Sequence, residues 1–163
     1  MYRRQEGLAI VSGPGSFTGL RIGLAAIKAL GEVLAKPIVA LSMLEIVARA
    51  GLTGGRCLAA MDAGRNEVYV GNFDGQTLGT ERLLTMSEFL LLAQDIPVVT
   101  ADSNIANAAR SASLVFEEIA RPRADSVARL GWGKIQAREL VSPEELEANY
   151  IRRADAEIFS APK

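Results

Sequence analysis

A glycine-containing run between an apolar segment and a long amphipathic segment constrains the fold of this chain more than any other feature. The run is Gly13–Gly23, with the sequence Gly-Pro-Gly-Ser-Phe-Thr-Gly-Leu-Arg-Ile-Gly. The apolar residues Leu8–Val11 precede it, and a short continuous run of this kind is typical of a strand buried on both faces. Apolar residues at helical spacing follow over Gly19–Leu34, and Ser16 or Thr18 is suited to cap that helix. The sequence therefore predicts a strand, a tight turn and a helix in immediate succession.

The turn between this strand and this helix has two interpretations. Backbone N–H groups at a helix start lie at the positive end of the helix dipole and bind phosphate or carboxylate groups, and a nearby guanidinium adds charge. In this interpretation an anion or a nucleotide lies near Gly13, Gly15, Ser16, Thr18, Gly19 and Arg21. In the alternative, the glycines allow close packing, and Arg21 is a solvent-facing or ion-paired charge. The spacing matches neither a P-loop nor a dinucleotide-binding motif.

Composition excludes several classes of site. The 163 residues include no histidine and a single cysteine, and the net charge is −1. Without histidine the chain lacks the Ser-His and Cys-His nucleophile arrangements and the commonest zinc ligand, so we expect neither hydrolysis by those routes nor a metal site. Cys57 lies in an apolar run, which predicts a buried thiol. No apolar stretch is long enough to span a membrane, and we expect a cytoplasmic protein.

The order of the predicted elements indicates an α/β fold built from two related lobes. Strand, helix, strand and helix come first, and Ser42 with Glu45 forms a capping box for the second helix. An antiparallel meander of three strands follows, then a helix capped by Ser87, then strand, helix, strand and helix. The first lobe is therefore an incomplete copy of the second, which leaves strand edges and apolar helix faces uncovered. The predicted parts are the first lobe at 1–52, the second lobe at 56–152 and a tail at 153–163.

Several segments carry a resemblance to a known family. Three parts of the chain are similar to the TsaB family, also called YeaZ. They are Gly13–Gly23 followed by Pro37–Ser42, the segment Met61–Tyr69 and the segment Asn149–Arg152. These glycoprotease-like bacterial proteins help to make threonylcarbamoyladenosine in tRNA. The resemblance implies the actin-like, sugar-kinase and Hsp70-like (ribonuclease H-like) fold of two duplicated lobes. Gly64 stands where the hairpin of the family has an arginine.

The chain departs from the family pattern in two respects. Members open with a strand carrying Asp-Thr-Ser, the rest of a meander and a helix before the Gly-Pro-Gly turn, and those elements are absent from this sequence. Either the gene sequence is truncated or a partner polypeptide supplies the strands, and we expect truncation. The catalytic relative TsaD has a His-x-x-x-His metal motif, at whose places this chain has Met43 and Val47. Neither side chain is a useful ligand for iron or zinc, so we expect the chemistry to lie in another subunit.

The resemblance implies a partner subunit without catalytic residues of its own. In that role the chain binds a TsaD-like catalytic subunit, acts with a TsaE-like ATPase and meets tRNA only through the complex. The resemblance places the TsaD contact on first-lobe helices, and the helix residues expected there are Leu20, Leu24, Ile27 and Leu30. In the alternative these residues pack on the sheet of their own lobe. The subunit requires no cofactor, and ATP or ADP is bound weakly or shared at an interface.

Two other functions stay open at the level of the sequence. The first is a nucleotide-binding enzyme or a glycoprotease-like peptidase of the same fold, with Asp62, Glu67 and Asp102 at predicted strand ends as candidate carboxylates. Turn formation explains the same residues, and Ser16 has no histidine to act as its base. The second is self-association, because an uncovered apolar helix face favours a homodimer when the chain is alone.

Overall fold

The computed structural model describes residues 5–51, 54–75 and 77–152 of the chain. The first elements in this part of the chain are β1 (Leu8–Gly13), α1 (Phe17–Leu34), β2 (Ile38–Ser42) and α2 (Met43–Ala50). The elements that follow are β3 (Arg56–Gly64), β4 (Glu67–Asp74), β5 (Thr77–Thr85), α3 (Met86–Leu92), β6 (Val98–Thr100), α4 (Ser103–Ser111), β7 (Phe116–Glu118) and α5 (Ala124–Gln136). This order, βαβα and then βββαβαβα, confirms the order predicted from the sequence.

The first sheet consists of β1 and β2, and helices cover both of its faces. The two strands are parallel, with Ile10 opposite Ala40. Successive residues of a strand point to opposite faces, and β1 shows which helix lies on each face. Ala9 lies against Gly131 of α5, whereas Ile10 lies against Gly23 of α1. The first sheet is therefore held between α1 and α5, although α5 is the last helix of the described residues and α1 is the first.

Within the described residues, the second sheet has five strands in the order β5-β4-β3-β6-β7. Strands β3, β4 and β5 form the predicted antiparallel meander, with Ala60 of β3 opposite Val70 of β4. Strands β6 and β7 extend the sheet in parallel, with Ala59 of β3 opposite Val99 of β6. The carboxyl ends of β3 and β6 consequently meet at one edge of the sheet, together with the start of α4.

Alternate residues of β3 contribute to two different cores. Leu58 and Ala60 pack with residues of α3 and α4, whereas Cys57 and Ala59 pack with residues of α2. The buried thiol predicted for Cys57 is confirmed, and burial raises the pKa of that thiol above its ordinary value. A third core belongs to the first sheet and contains Leu8, Leu24, Ile38 and Leu146.

The segment after α5 returns to the first sheet. The amide of Val141 donates a hydrogen bond to the carbonyl oxygen of Ile38 at 2.9 Å, and Leu146 is buried in the core of that sheet. The late part of the chain thus packs with its beginning. The lobe boundaries remain a prediction, and the tail predicted at 153–163 lies outside the described residues. In the part of the chain that the structure describes, no helix has the length and apolarity needed to cross a bilayer.

The cap of α3 differs from the prediction. Thr85 caps this helix and Glu88 completes a capping box, because the Thr85 amide donates to a Glu88 carboxylate oxygen at 2.8 Å and the Glu88 amide donates to the Thr85 hydroxyl at 3.3 Å. Ser87 lies inside the helix. The prediction of Ser87 as the cap was wrong because two hydroxyl residues stand near the helix start and only Thr85 has a glutamate three positions on.

The predicted capping box of α2 is likewise replaced by another arrangement. Ser42 caps α2 as predicted, and its hydroxyl accepts the amide of Leu44 at 3.1 Å. The carboxylate of Glu45, however, pairs with Arg49 at 3.0 Å and with Lys134 of α5 at 3.3 Å. Glu45 is buried, and a buried carboxylate is stable only when it is paired. Two cations within reach therefore hold Glu45 away from the start of its own helix.

Candidate functional site

The glycine-containing turn leads directly from β1 into α1. Ser16 caps the helix, and its hydroxyl accepts the amide of Gly19 at 3.4 Å, which confirms one of the two capping residues predicted. The first turn of α1 contains no acidic side chain. Thr18 and Gly15 are exposed beside it. The helix start is thus accessible, but one of its amide donors is already used by the cap.

Gly13 lies at the closest approach in this turn. Its φ is 144°, and a Cβ atom at this position would lie 2.5 Å from the carbonyl oxygen of Asn149. A side chain here is excluded both by the backbone conformation and by the neighbouring backbone. Close packing therefore accounts for Gly13, as in the second interpretation of the turn.

Arg21 projects from α1 toward the segment at the end of the described chain. Its Nε donates to the hydroxyl oxygen of Tyr150 at 3.1 Å, and its guanidinium carbon lies 5.9 Å from the centre of the Tyr150 ring. Tyr150 also stacks on Phe17, with ring centres 4.7 Å apart and an interplanar angle of 18°. Arg21 therefore has a structural role within the chain. An anion at the predicted turn residues stays a prediction.

One apolar seam of α1 faces inward. Leu24 is buried in the core of the first sheet, and Ile27 packs against that core. Leu20 is half-buried one turn before Leu24. Of the four residues predicted to contact a partner, these three lie along the seam turned toward the chain's own core. The fourth, Leu30, is 46% exposed and lies on the flank of the helix beside this seam.

A second apolar seam of α1 faces outward. Ile22, Ala26, Ala29 and Val33 follow one another at intervals of four, three and four residues, which places them on one face. Ile22 is 66% exposed and Val33 is 81% exposed, and Leu30 adjoins them. We call these five residues the outward seam. The charged residues of α1 all lie outside it, at positions 21, 28 and 32. Sequence reasoning placed the partner contact mainly on the inward seam, because helical spacing does not say which of two apolar faces is covered.

Two of the predicted carboxylates lie together at the carboxyl ends of β3 and β6. Asp62 accepts the side-chain amide of Asn104 at 3.0 Å and the backbone amide of Gly64 at 2.7 Å. Asp102 accepts the backbone amide of Asp62 at 2.8 Å and pairs with Arg121 at 3.6 Å. These residues line an open cleft with a volume of about 570 Å³. Both carboxylates are thus satisfied within the chain.

The electrostatics of this cleft do not favour a general acid. The hydrogen bond from Asn104, and then that from the Gly64 amide, lower the pKa of Asp62 below its ordinary value. A general acid at neutral pH requires the opposite shift. Glu67, the third candidate, does not line the cleft and instead pairs with Arg152. The structure therefore brings two of the three candidates together, in a geometry that turn and strand-end hydrogen bonds explain.

The positions of the TsaD metal motif carry no ligand in this chain. Met43 opens α2, and Val47 is buried in the core between α2 and the second sheet. Within residues 5–51, 54–75 and 77–152, no three side chains of His, Cys, Asp or Glu are grouped so as to hold a metal ion. The residues present thus do not fit the metal of that motif.

Sequence reasoning missed the polar link between the two sheets. Glu81 of β5 accepts hydrogen bonds from the Ser42 hydroxyl at the end of β2 and from the side-chain amide of Asn149. Asn149 in turn donates its backbone amide to the carbonyl oxygen of Ser12 at 2.8 Å. The sequence singled out Ser42 as a helix cap and Asn149 through the likeness of Asn149–Arg152 to a family segment, but it indicated no contact between them. No local pattern marks Glu81, because its partners are 39 and 68 positions away.

Comparison with known families gives a match over most of the chain. Residues 3–123 match the family model described as TsaD, tRNA N6-adenosine threonylcarbamoyltransferase. Uncharacterized proteins of Mycobacterium bovis and Mycobacterium tuberculosis are 30% identical to the chain over 156 residues. The alignment covers 93% of this chain and 66% of each relative. The chain thus spans slightly less than two thirds of the length of these relatives.

Two solved structures from Pseudomonas aeruginosa have a similar fold. One is described as an uncharacterized protein with similarity to the peptidase YeaZ, and it aligns with a TM-score of 0.68 at 24% identity over 90% of this chain and 74% of its own. The other is YeaZ, with a TM-score of 0.66 at 24% identity over 89% of this chain and 74% of its own. These alignments confirm the α/β fold of the actin-like, ribonuclease H-like class that the sequence resemblance implied.

Proposed function

Because this chain belongs to the TsaD family and has the fold of the YeaZ (TsaB) proteins, we propose that it is a non-catalytic partner subunit in forming tRNA N6-threonylcarbamoyladenosine. In this role it binds a TsaD-like catalytic subunit, which acts together with a TsaE-like ATPase. The chain meets tRNA only within that complex, in the cytoplasm. It needs no cofactor of its own, and ATP or ADP is bound weakly or shared at an interface.

The outward seam of α1 is the observation that carries this proposal. Ile22, Leu30 and Val33 are large apolar side chains exposed along one helix, with the alanines at 26 and 29 between Ile22 and Val33. Removing each large side chain from water stabilises a complex by on the order of 1 kcal/mol or more. The small residues between them let a second helix approach closely. A helix face of this kind fits an apolar helix of another subunit better than it fits solvent.

The inward seam supports the same assignment. Leu24 and Ile27 already pack on the chain's own core, so they anchor α1 to the first sheet while the opposite face stays available. The partner contact expected at Leu20, Leu24, Ile27 and Leu30 is accordingly proposed on the outward seam, which keeps Leu30 and adds Ile22 and Val33. A helix with two apolar faces is suited to join two bodies.

The test is binding of the purified chain to a TsaD-like subunit, followed by isothermal titration calorimetry and size-exclusion chromatography. We expect Ile22→Asp and Val33→Asp to weaken the complex by at least tenfold each, because a carboxylate buried at an apolar interface is unpaired. Leu91→Asp is the matched control, since Leu91 is 69% exposed on α3 of the other sheet. Circular dichroism should show all three variants folded. Equal binding by the variants and the parent chain would contradict the proposal.

Two outcomes distinguish the other functions. Turnover of ATP, peptide or tRNA by the chain without a partner would favour the nucleotide-binding enzyme or the peptidase. A dimer of the chain alone that Val33→Asp abolishes, without any binding to a TsaD-like subunit, would favour self-association. The paired carboxylates of Asp62 and Asp102 supply no independent support for the enzyme, because their hydrogen bonds are explained within the chain.

A further inference from the structure

The described chain ends in a short segment whose successive residues contact different elements. We call Asn149–Arg152 the strap. Asn149 contacts the end of β1 and Glu81 in the middle of β5, and Tyr150 contacts α1. Ile151 packs against the core beneath α2, and Arg152 contacts β4. The strap therefore crosses from the first sheet to the second within four residues.

The first-sheet end of the strap is fixed by backbone contacts. The amide of Asn149 donates to the carbonyl oxygen of Ser12 at 2.8 Å. Gly13 has no side chain, and the Asn149 backbone occupies the space beside it. A Cβ atom on residue 13 would lie 2.5 Å from the carbonyl oxygen of Asn149. The backbone of Asn149 is thus held at β1, and the side chain of the next residue, Tyr150, contacts α1.

The Tyr150 side chain contacts α1 in two ways. Its ring stacks on Phe17 at 4.7 Å, and its hydroxyl oxygen accepts Nε of Arg21 at 3.1 Å. Phe17 and Arg21 are four residues apart, so one aromatic side chain contacts one face of the first turns of the helix. Stacked rings and a cation beside a ring are both favourable beyond the area they bury.

The second-sheet end of the strap is held by Arg152. Its guanidinium pairs with Glu67 of β4 and lies 5.9 Å from the centre of the Tyr69 ring on the same strand. The Arg152 side chain is largely buried, which favours a fixed geometry for its planar guanidinium. Ile151 adds an apolar contact with the core that contains Tyr69.

The attachment of α1 elsewhere is narrow. Among the described elements α1 packs through its inward seam on β1 and on the core that includes Ile38 of β2 and Leu146. A helix with few contacts outside one face has low local stability there, so a second point of attachment has a measurable effect on it. Tyr150 supplies such a point at the amino-terminal half of α1.

We propose that the strap is a latch that fixes the orientation of α1 relative to the two sheets, with Tyr150 as the positioning residue. The latch is a property of the chain alone. Its consequence, that the outward seam is already ordered when a partner binds, rests on the proposed function. A pre-ordered surface binds without the entropy cost of being ordered on contact.

Hydrogen–deuterium exchange of the full chain, read by mass spectrometry without any partner, tests the latch. In Tyr150→Ala we expect exchange in peptides from Phe17–Leu34 to rise roughly three- to tenfold, the range given by losing one stacked aromatic pair. Tyr150→Phe keeps the ring and should restore most of the protection. Arg21→Gln should give a smaller rise. Trp132→Ala, which removes an aromatic side chain of similar exposure from α5, is the matched control.

Peptides from Val98–Ser111 in the second sheet report global unfolding. The latch predicts that they keep parental exchange in Tyr150→Ala. Unchanged exchange in α1, an equal rise in all peptides, or no recovery in Tyr150→Phe would each overturn the proposal. Because no partner is present, failure here is separate from failure of binding through the outward seam.

Discussion

Single residues decide the ends of α1. Ala35 follows the helix with φ 47° and ψ 48°, the left-handed conformation that commonly ends a helix. Its amide donates to carbonyl oxygens of the last helical turn, so the geometry is used although the residue is not glycine. An alanine in this conformation is strained, because its Cβ approaches its own backbone.

Ala35→Gly should therefore stabilise the chain by roughly 0.5–1 kcal/mol, the strain relieved less the added freedom of the unfolded state. Urea denaturation followed by circular dichroism measures the change. Ala29→Gly is the control, since Ala29 is solvent-exposed and lies away from both ends of the same helix. This substitution should destabilise the chain by about 1 kcal/mol. A loss of stability in Ala35→Gly would show that the helix end does not adopt the left-handed conformation.

At the scale of elements, the packing of α5 on β1 depends on the absence of a side chain. Gly131 is buried, and a Cβ there would lie 2.4 Å from the Cβ of Ala9. Two residues further on, Gly133 faces open space, with no atom within 4 Å of an added Cβ. The same helix thus contains one glycine required by packing and one that packing does not require.

Gly131→Ala should destabilise the chain by roughly 1–3 kcal/mol, because helix and strand must separate to admit the methyl group. Gly133→Ala should leave stability equal or raise it by up to about 1 kcal/mol, because alanine is the better helix former. Guanidinium denaturation of the two variants gives the comparison. If both substitutions had the same effect, α5 would not be packed on β1 through Gly131.

At the scale of the whole molecule, Glu81 joins the second sheet to the first. Its two carboxylate oxygens accept hydrogen bonds from Ser42 and from Asn149, which come from separate parts of the chain. Hydrogen bonds to a charged group contribute more than neutral ones, and a partly buried group that loses its partners is costly. Through Ser42 this contact holds the end of β2 near β5, and through Asn149, which bonds Ser12, it holds the end of β1 near the same strand.

Glu81→Ala should lower stability by roughly 1–3 kcal/mol, and the loss should be non-additive with Asn149→Ala, since the two residues share a bond. Glu117→Ala on exposed β7 is the control and should change stability by less than about 0.5 kcal/mol. A double-mutant cycle from urea denaturation measures the coupling. Strict additivity of the two substitutions would mean that the hydrogen bond between Glu81 and Asn149 contributes nothing to stability.

The sequence by itself determined the strand, turn and helix around Gly13, the order of the elements, the antiparallel meander and the burial of Cys57. These features depend on local periodicity, turn residues and composition, which act within a few positions of the chain. It also determined two apolar faces on α1. The family pattern singled out the segment Asn149–Arg152 but assigned it no contacts.

Only the tertiary structure decided which apolar face of α1 is covered, which hydroxyl caps α3, and where Glu45, Glu81 and Tyr150 find their partners. Arg21 and Tyr150 are 129 positions apart, and no local pattern relates them. Glu45 does not form its predicted capping box, because its carboxylate pairs with Lys134 of a distant helix at 3.3 Å. Long-range contacts select among the alternatives that local preferences leave open, because burial and charge pairing exceed the small free energies of those preferences.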